Sequence, residues 1–297
     1  MNGILLVNKP QGFTSFDVIA KLRGILKIKR LGHSGTLDPL ATGVLPVFIG
    51  KATRACDILP NNEKSYTAGF RLGIKTDTQD ITGTVLKKSD IVTSRQDVSN
   101  ALLSFLGETD QLPPMYSAVS VGGKRLYDLA RQGIEVERQS RKINVAEIKL
   151  LDFDEKEQEG TVFISCSKGT YIRTIIHDMG EKLGCFAAMS SLVRNSSSGF
   201  LLKDCLTFDE IVELKRSERL CEVIIPIQKA FEEYEKIFLD EIQTAKYKNG
   251  IKLDSARVCF TPGNEIYQIF SFDGSFLGLG KVSYDENELS VFKNFFE

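Results

Sequence analysis

The chain has 297 residues, 42% of them hydrophobic and 26% charged, with a formal net charge of −1 at pH 7. That length suggests one large domain and a smaller one, and the near-neutral charge excludes indiscriminate nucleic-acid binding by gross basicity. Six scattered cysteines without a Cys-x-x-Cys pair and only two histidines exclude the usual zinc-ligand spacings, so no metal is expected. A basic leader followed by an apolar run is absent, as is any stretch near the ~20 apolar residues of a membrane span. The expected setting is cytoplasmic, with reduced thiols and no membrane partner.

In chain order, Gly3–Asn8 reads as a strand. Thr14 or Ser15 can then cap a helix whose apolar residues Phe16, Ile19, Leu22 and Leu26 recur at helical spacing. Lys21, Arg23, Lys27, Lys29 and Arg30 follow with no acid between them, a basic run suited to phosphate contact. The next segment, Gly32-His33-Ser34-Gly35-Thr36-Leu37-Asp38-Pro39-Leu40-Ala41-Thr42-Gly43, is a glycine-studded loop displaying one carboxylate. Its glycines let backbone turn and approach a ligand, and Pro39 biases Asp38 away from helix. An isolated Asp-Pro is most often a plain turn initiator.

Val44–Ile49 is a short apolar run suited to a buried strand, and Tyr66–Leu72 alternates like a half-buried one. Val98–Leu106 reads as helix. Gly122-Gly123 signals a tight turn, with Leu126, Leu129 and Ala130 in a short helix closed by Gly133. A second basic segment spans Lys124 to Lys142. Ile143–Phe153 and Thr161–Cys166 read as strands, and Thr170–Leu183 as a helix ending at Gly184. Thr207-Phe208-Asp209-Glu210 is a capping-box signature. From about Asp240 a helix ends near Gly250, and short apolar runs at 267–272 and 276–282 flank an Asp273-Gly274 turn. Strands and helices interleave without a regular crossover repeat, which predicts an α+β fold with a mixed, largely antiparallel sheet and a small β-rich C-terminal module.

The loop from Gly32 to Pro46, continued by Gly50-Lys51-Ala52-Thr53-Arg54, resembles the catalytic motif of the bacterial tRNA pseudouridine-55 synthases of the TruB type. Further blocks match in order: Leu6 to Ser15, Lys64-Ser65-Tyr66, Gly73 to Asp80, Pro113 to Ala118 and Lys168 to Thr174, so the resemblance runs to about Phe200. It implies residues 1–235 as catalytic domain, an RNA-clamping insertion at about 115–142, and 236–297 as a PUA-like RNA-binding module, the last on a looser match. The implied activity is isomerisation of uridine 55 in the tRNA T-loop by base flipping, without cofactor. Implied partners are the T-loop and stem of tRNA, with no obligatory protein partner; a monomer is the expected state.

By the same resemblance Asp38 is the nucleophile, and Arg173 its ion-pair partner. Tyr66 would stack on the flipped uracil and serve proton transfer, Tyr171 and Leu192 would wall the pocket, and His33 would lie by the extruded nucleotide. A carboxylate suits attack on the uracil ring, attack on the ribose, and assisted elimination to a glycal alike. From residue types alone Arg173 fits a solvated helix arginine, Tyr66 sheet packing and Leu192 ordinary core. The competing reading is a non-catalytic tRNA-binding or folding chaperone using the same cleft, for which Asp38 would be dispensable.

Overall fold

In the computed structural model, which describes residues 1–296, the N-terminal strand β1 (Gly3–Lys9) leads into helix α1 (Ser15–Leu26). Thr14 caps that helix: its hydroxyl accepts from the Asp17 amide at 3.0 Å, and the Asp17 carboxylate accepts from the Thr14 amide at 2.9 Å. Such a capping box satisfies two otherwise orphaned donors. Val18, Ile19, Leu22 and Leu26 form the buried stripe, whereas Phe16 is exposed, so the apolar face is rotated from the one expected. Strand β2 (Leu31–His33) and the glycine loop then feed β3 (Thr42–Ile49).

Next come β4 (Lys64–Leu72), the β5/β6 hairpin (Ile74–Thr76, Val85–Lys88), α2 (Arg95–Leu103) and β7 (Gly107–Gln111). A small hairpin of β8 (Ser120–Val121) and β9 (Lys124–Arg125) precedes the short α3 (Leu126–Arg131). Long strands β10 (Arg141–Asp154) and β11 (Glu159–Cys166) are followed by α4 (Ile172–Lys182), β12 (Ala187–Ser197), β13 (Phe200–Leu201) and α5 (Phe208–Arg216). The main sheet has the order β1-β3-β12-β4-β11-β10-β7. Its one parallel pair is β3 with β12; the other neighbours are antiparallel, matching the predicted class.

Strand alternation explains the layering. In β1, Leu5 and Val7 pack with α1 and α5, while Ile4 and Leu6 point to the opposite face. A second core lies farther along the sheet, where α2 and α4 bury Val98, Leu102, Ile175 and Met179 against Phe70, Val145, Val162 and Ile164. At about 25 cal/mol per Å² of buried apolar surface, this burial dominates the favourable terms.

The C-terminal part holds β14 (Lys236–Phe238), α6 (Glu241–Lys248), β15 (Leu253–Asp254), β16 (Ile266–Phe270), β17 (Phe276–Ser283) and β18 (Glu288–Asn294). Its strands form a separate sheet, β14-β16-β17-β18-β15. Phe231, Leu279 and Phe295 join Ile4, Leu6 and Phe48 in one apolar cluster between the two sheets. Lys51 Nζ donates to Phe296 O at 2.9 Å and Arg54 to Asn294 O at 3.0 Å across the same boundary.

Candidate active site

The loop carrying Asp38 is anchored from several sides. Leu37 is buried, its amide donates to Ser15 Oγ at 2.9 Å, and Pro39 O accepts from the Gly12 amide at 2.8 Å. A turn closes where the Ala41 amide donates to Asp38 O at 3.0 Å. Gly43, at φ 102°, lets β3 run against β12: a Cβ there would stand 2.3 Å from Arg194 O. Gly32, by contrast, lies in the extended strand β2 with no positive φ.

Arg173, on the first turn of α4, is 4% exposed and reaches Asp38 with two nitrogens. Nε lies 2.9 Å from Oδ2, and Nη2 donates to Oδ1 at 3.3 Å. The rest of its fork donates to Thr78 O and Tyr116 O, each at 2.9 Å. Four donor contacts in one plane fix the guanidinium, which fixes the carboxylate. A second acid, Asp80, stands 3.9 Å from Nη1 and is buried, accepting from Thr78 Oγ1 and the Thr82 amide at 2.9 Å each. The 77–82 turn docks on α4 through Thr174 Oγ1, which donates to Gln79 Oε1 at 2.8 Å.

The Asp38 side chain keeps 36% of its surface open to solvent, so a substrate can reach it although protein encloses its other sides. That enclosure pushes its carboxyl above the ordinary 3.8; Arg173 opposes the rise, Asp80 reinforces it and Lys9 opposes it. Lys9 itself is fully buried, its ammonium donating to Pro10 O and reaching toward Pro39 O in the Asp38 loop. Burial lowers it to about 8.

Tyr66 is buried in β4 and paired in register with Arg194 of β12 on one side and Ile164 of β11 on the other. Burial raises its phenol, and the neighbouring Arg194 guanidinium works against that rise. Leu192 lies in β12 opposite Ala68, nearly buried in the same core cluster as Tyr66. Tyr171 precedes α4, and Gln111 clamps its backbone, accepting from the amide at 2.8 Å and donating to the carbonyl at 3.0 Å. His33 ends β2, and burial followed by the Arg194 charge holds its imidazole below the usual range.

The structure therefore brings Asp38 and Arg173 into direct contact and sets Tyr66 and Leu192 on adjacent strands of one core. His33 neighbours Arg194, and Tyr171 stands two residues before Arg173 at the start of α4. Lys9, Asp80 and Arg194 carry no role readable from sequence, although Lys9 and Asp80 fall within the motif blocks. Buried charge is a tertiary property, and a lysine ending a strand before a proline signals only a boundary.

Residues 23–172 match the sequence model described as TruB family pseudouridylate synthase, N-terminal domain, and residues 173–232 match that of the tRNA pseudouridylate synthase B C-terminal domain. The chain belongs to the TruB family. A relative from Clostridium acetobutylicum named tRNA pseudouridine synthase B is 44% identical over 284 residues, covering 95% of this chain and 96% of the relative. One of the same name from Clostridioides difficile is 42% identical, covering 98% of each. Among solved structures, an H/ACA ribonucleoprotein bound to a substrate RNA containing 2′-deoxyuridine holds a chain that aligns with TM-score 0.73 and 25% identity, over 99% of this chain and 85% of that one. As a TruB-family protein the chain is a pseudouridine synthase, an isomerase.

Proposed function

We propose that this chain converts uridine 55 in the T-loop of tRNA to pseudouridine, with Asp38 as the nucleophile. The Asp38–Arg173 pair carries the proposal: one carboxylate on a glycine loop, gripped by a buried bidentate arginine and still reachable from solvent. The names of the relatives and the RNA-bound solved neighbour support an RNA substrate, and tRNA in particular.

In this reaction the N1–C1′ bond breaks, the uracil turns, and a C5–C1′ bond forms, with a proton lost from C5 and one gained at N1. The atoms balance without oxidant or cofactor. Asp38 supplies the electron pair, and Arg173 keeps the carboxylate ionised and aimed. Tyr66 stacks on the flipped base and places its hydroxyl for the C5 proton, while Leu192 and Tyr171 close the walls that hold the detached uracil. His33 lies by the extruded nucleotide. Flipping costs a few kcal/mol, less for a loop nucleotide than for one in a duplex. The segment at about 115–142 and a PUA-like module at 236–297 supply offsetting contacts to the T-loop and stem. On this reading the enzyme works in the cytoplasm as a monomer, without an obligatory protein partner.

The test is pseudouridine mapping on an unmodified tRNA transcript incubated with wild type or Asp38→Asn. Product at position 55 with wild type alone is the expected result. Binding by both proteins with no product from either overturns the proposal in favour of a chaperone.

A further inference from the structure

Arg194 is a fully buried guanidinium whose contacts bracket the nucleophile loop: Nε donates to Val44 O at 2.7 Å and Nη2 to Gly35 O at 3.1 Å. Its third nitrogen, Nη1, is buried without a hydrogen-bond partner among the described residues. The titratable groups facing it are the Tyr66 phenol, the Cys205 thiol, the His33 imidazole and the ammonium groups of Lys9 and Lys64, none of them a carboxylate. Lys64, half-buried at the start of β4, points to the same place. A Cβ on Gly35 would stand 2.8 Å from Lys64 Nζ and 3.3 Å from Arg194 Nη1, so two cations converge on the Gly35 turn. The charged and titratable groups facing Lys64 are Arg194, the Cys166 thiol and Lys168, again with no carboxylate. In the same turn, His33 Nδ1 and Ser34 Oγ are also buried without partners.

Two like charges held this close, with no counter-charge, cost free energy in the unliganded protein. Such an arrangement is offset when an anion arrives, and the substrate is a polyanion. We infer that the Gly35 turn binds a phosphodiester of the substrate RNA next to the target nucleotide, with Lys64 Nζ as its donor and the buried Arg194 charge behind it. The inference rests on the RNA-isomerase reading above. Burial, then Arg194, lowers Lys64 to about 8, and a bound phosphate reverses the second of these effects. Beyond Lys64 the positive charge continues. Lys168, Arg141 and Lys142 line an open hollow of about 340 Å³, where Lys142 is engaged by Glu108 at 2.6 Å and the other two supply the charge for further phosphates along the strand.

The experiment measures Kd for a T-arm RNA hairpin across a KCl series, in an Asp38→Asn background to prevent turnover. Lys64→Gln should weaken binding about tenfold at low salt and flatten the slope of log K against log salt by about one counterion, and Lys64→Arg should restore most of both. A hairpin carrying one uncharged methylphosphonate on either side of the target uridine tests the contact directly. At one of the two positions it should lose affinity for the Lys64 protein and lose nothing further with Lys64→Gln. A folded Lys64→Gln protein with unchanged affinity and slope overturns the inference, as do losses that simply multiply at both positions. Wild type that binds the hairpin but forms no pseudouridine refutes the catalytic reading alone; wild type that forms product with no Lys64 effect refutes only this site.

Discussion

Replacing Arg173 with lysine separates charge from geometry. The wild-type fork gives Asp38 contacts at 2.9 and 3.3 Å and serves Thr78 O and Tyr116 O at 2.9 Å each. Lysine keeps the charge but offers one nitrogen in place of three, so it satisfies one Asp38 oxygen at most and abandons the rest of the set. Losing one charge-assisted hydrogen bond costs about 1.5–3 kcal/mol. At 1.36 kcal/mol per tenfold, the chemical step should slow roughly 10- to 150-fold. The assay is single-turnover release of tritium from tRNA labelled at uridine C5, with enzyme in excess, alongside Kd and a thermal melt. The rate should fall while Kd for tRNA stays near wild type. The pH profile adds a second readout. Activity requires the ionised carboxylate, so it rises with pH through a limb above 3.8; because Arg173 pulls that limb down, the weaker lysine contact should move it up. A folded variant with wild-type rate, or a loss confined to Kd, would refute the reasoning.

Asp80→Asn should act on the same limb in the opposite direction, since the Asp80 charge raises the Asp38 carboxyl; the acid limb moves to lower pH while kcat drops as Arg173 loses a nearby counter-charge. Unmoved pH and unchanged kcat together would remove Asp80 from the site. Tyr66→Phe preserves the stacking ring and removes the hydroxyl, so tRNA binding should persist and C5 tritium release should stall; normal release would eliminate the proton-transfer role. Gly43→Ala puts a methyl 2.3 Å from Arg194 O on a backbone at φ 102°, and should cost more than the ~1–3 kcal/mol of such strain, visible as a lowered Tm. For Asp178, burial followed by Glu181 raises the carboxyl from 3.8 to about 6, so the folded state binds the proton more tightly and stability rises as pH falls from above 6 toward 3.8. Asp178→Asn should therefore raise Tm at pH 7.5, by about 2 °C for roughly 1 kcal/mol after solvent screening, with the advantage gone below pH 4; an equal gain at both pH values would contradict this.

Local signals made much of the fold legible. Thr14, Thr207 and Asp240 each cap a helix where side-chain chemistry predicts one, and the alternation in β4 and the apolar run of β17 mark strands plainly. Strand β12 carries no such local signal. Its Ala-Ala-Met-Ser-Ser-Leu-Val-Arg-Asn-Ser-Ser composition looks like loop, yet it lies between β3 and β4 and joins the N-terminal part of the sheet to the rest. Small residues are what that position requires: Ser191 Oγ accepts from the Gly69 amide at 3.2 Å, and Arg194 passes close over Gly43. The ladder partners, absent from any local window, decide the strand. The site divides along the same line. Asp38 and Arg173 stand in long motifs, whereas Lys9, Asp80 and Arg194 gain meaning only through burial, which depends on chain far away in sequence.

Strand β3 also sets a length scale. Its first residue, Thr42, follows Asp38 by four positions, and just past its last, Ile49, the Gly50–Ala55 turn carries the lysine and arginine that grip the C-terminal segment. Eight residues of strand span about 25 Å, and β1 braces them from Gly43 to Ile49. The strand is a stiff ruler with the Asp38 carboxylate near one end and the second sheet at the other. On the proposed function, an RNA that touches both would have to present its target base at that separation, and target choice would be gauged by distance along a folded RNA as well as by the letters around the uridine.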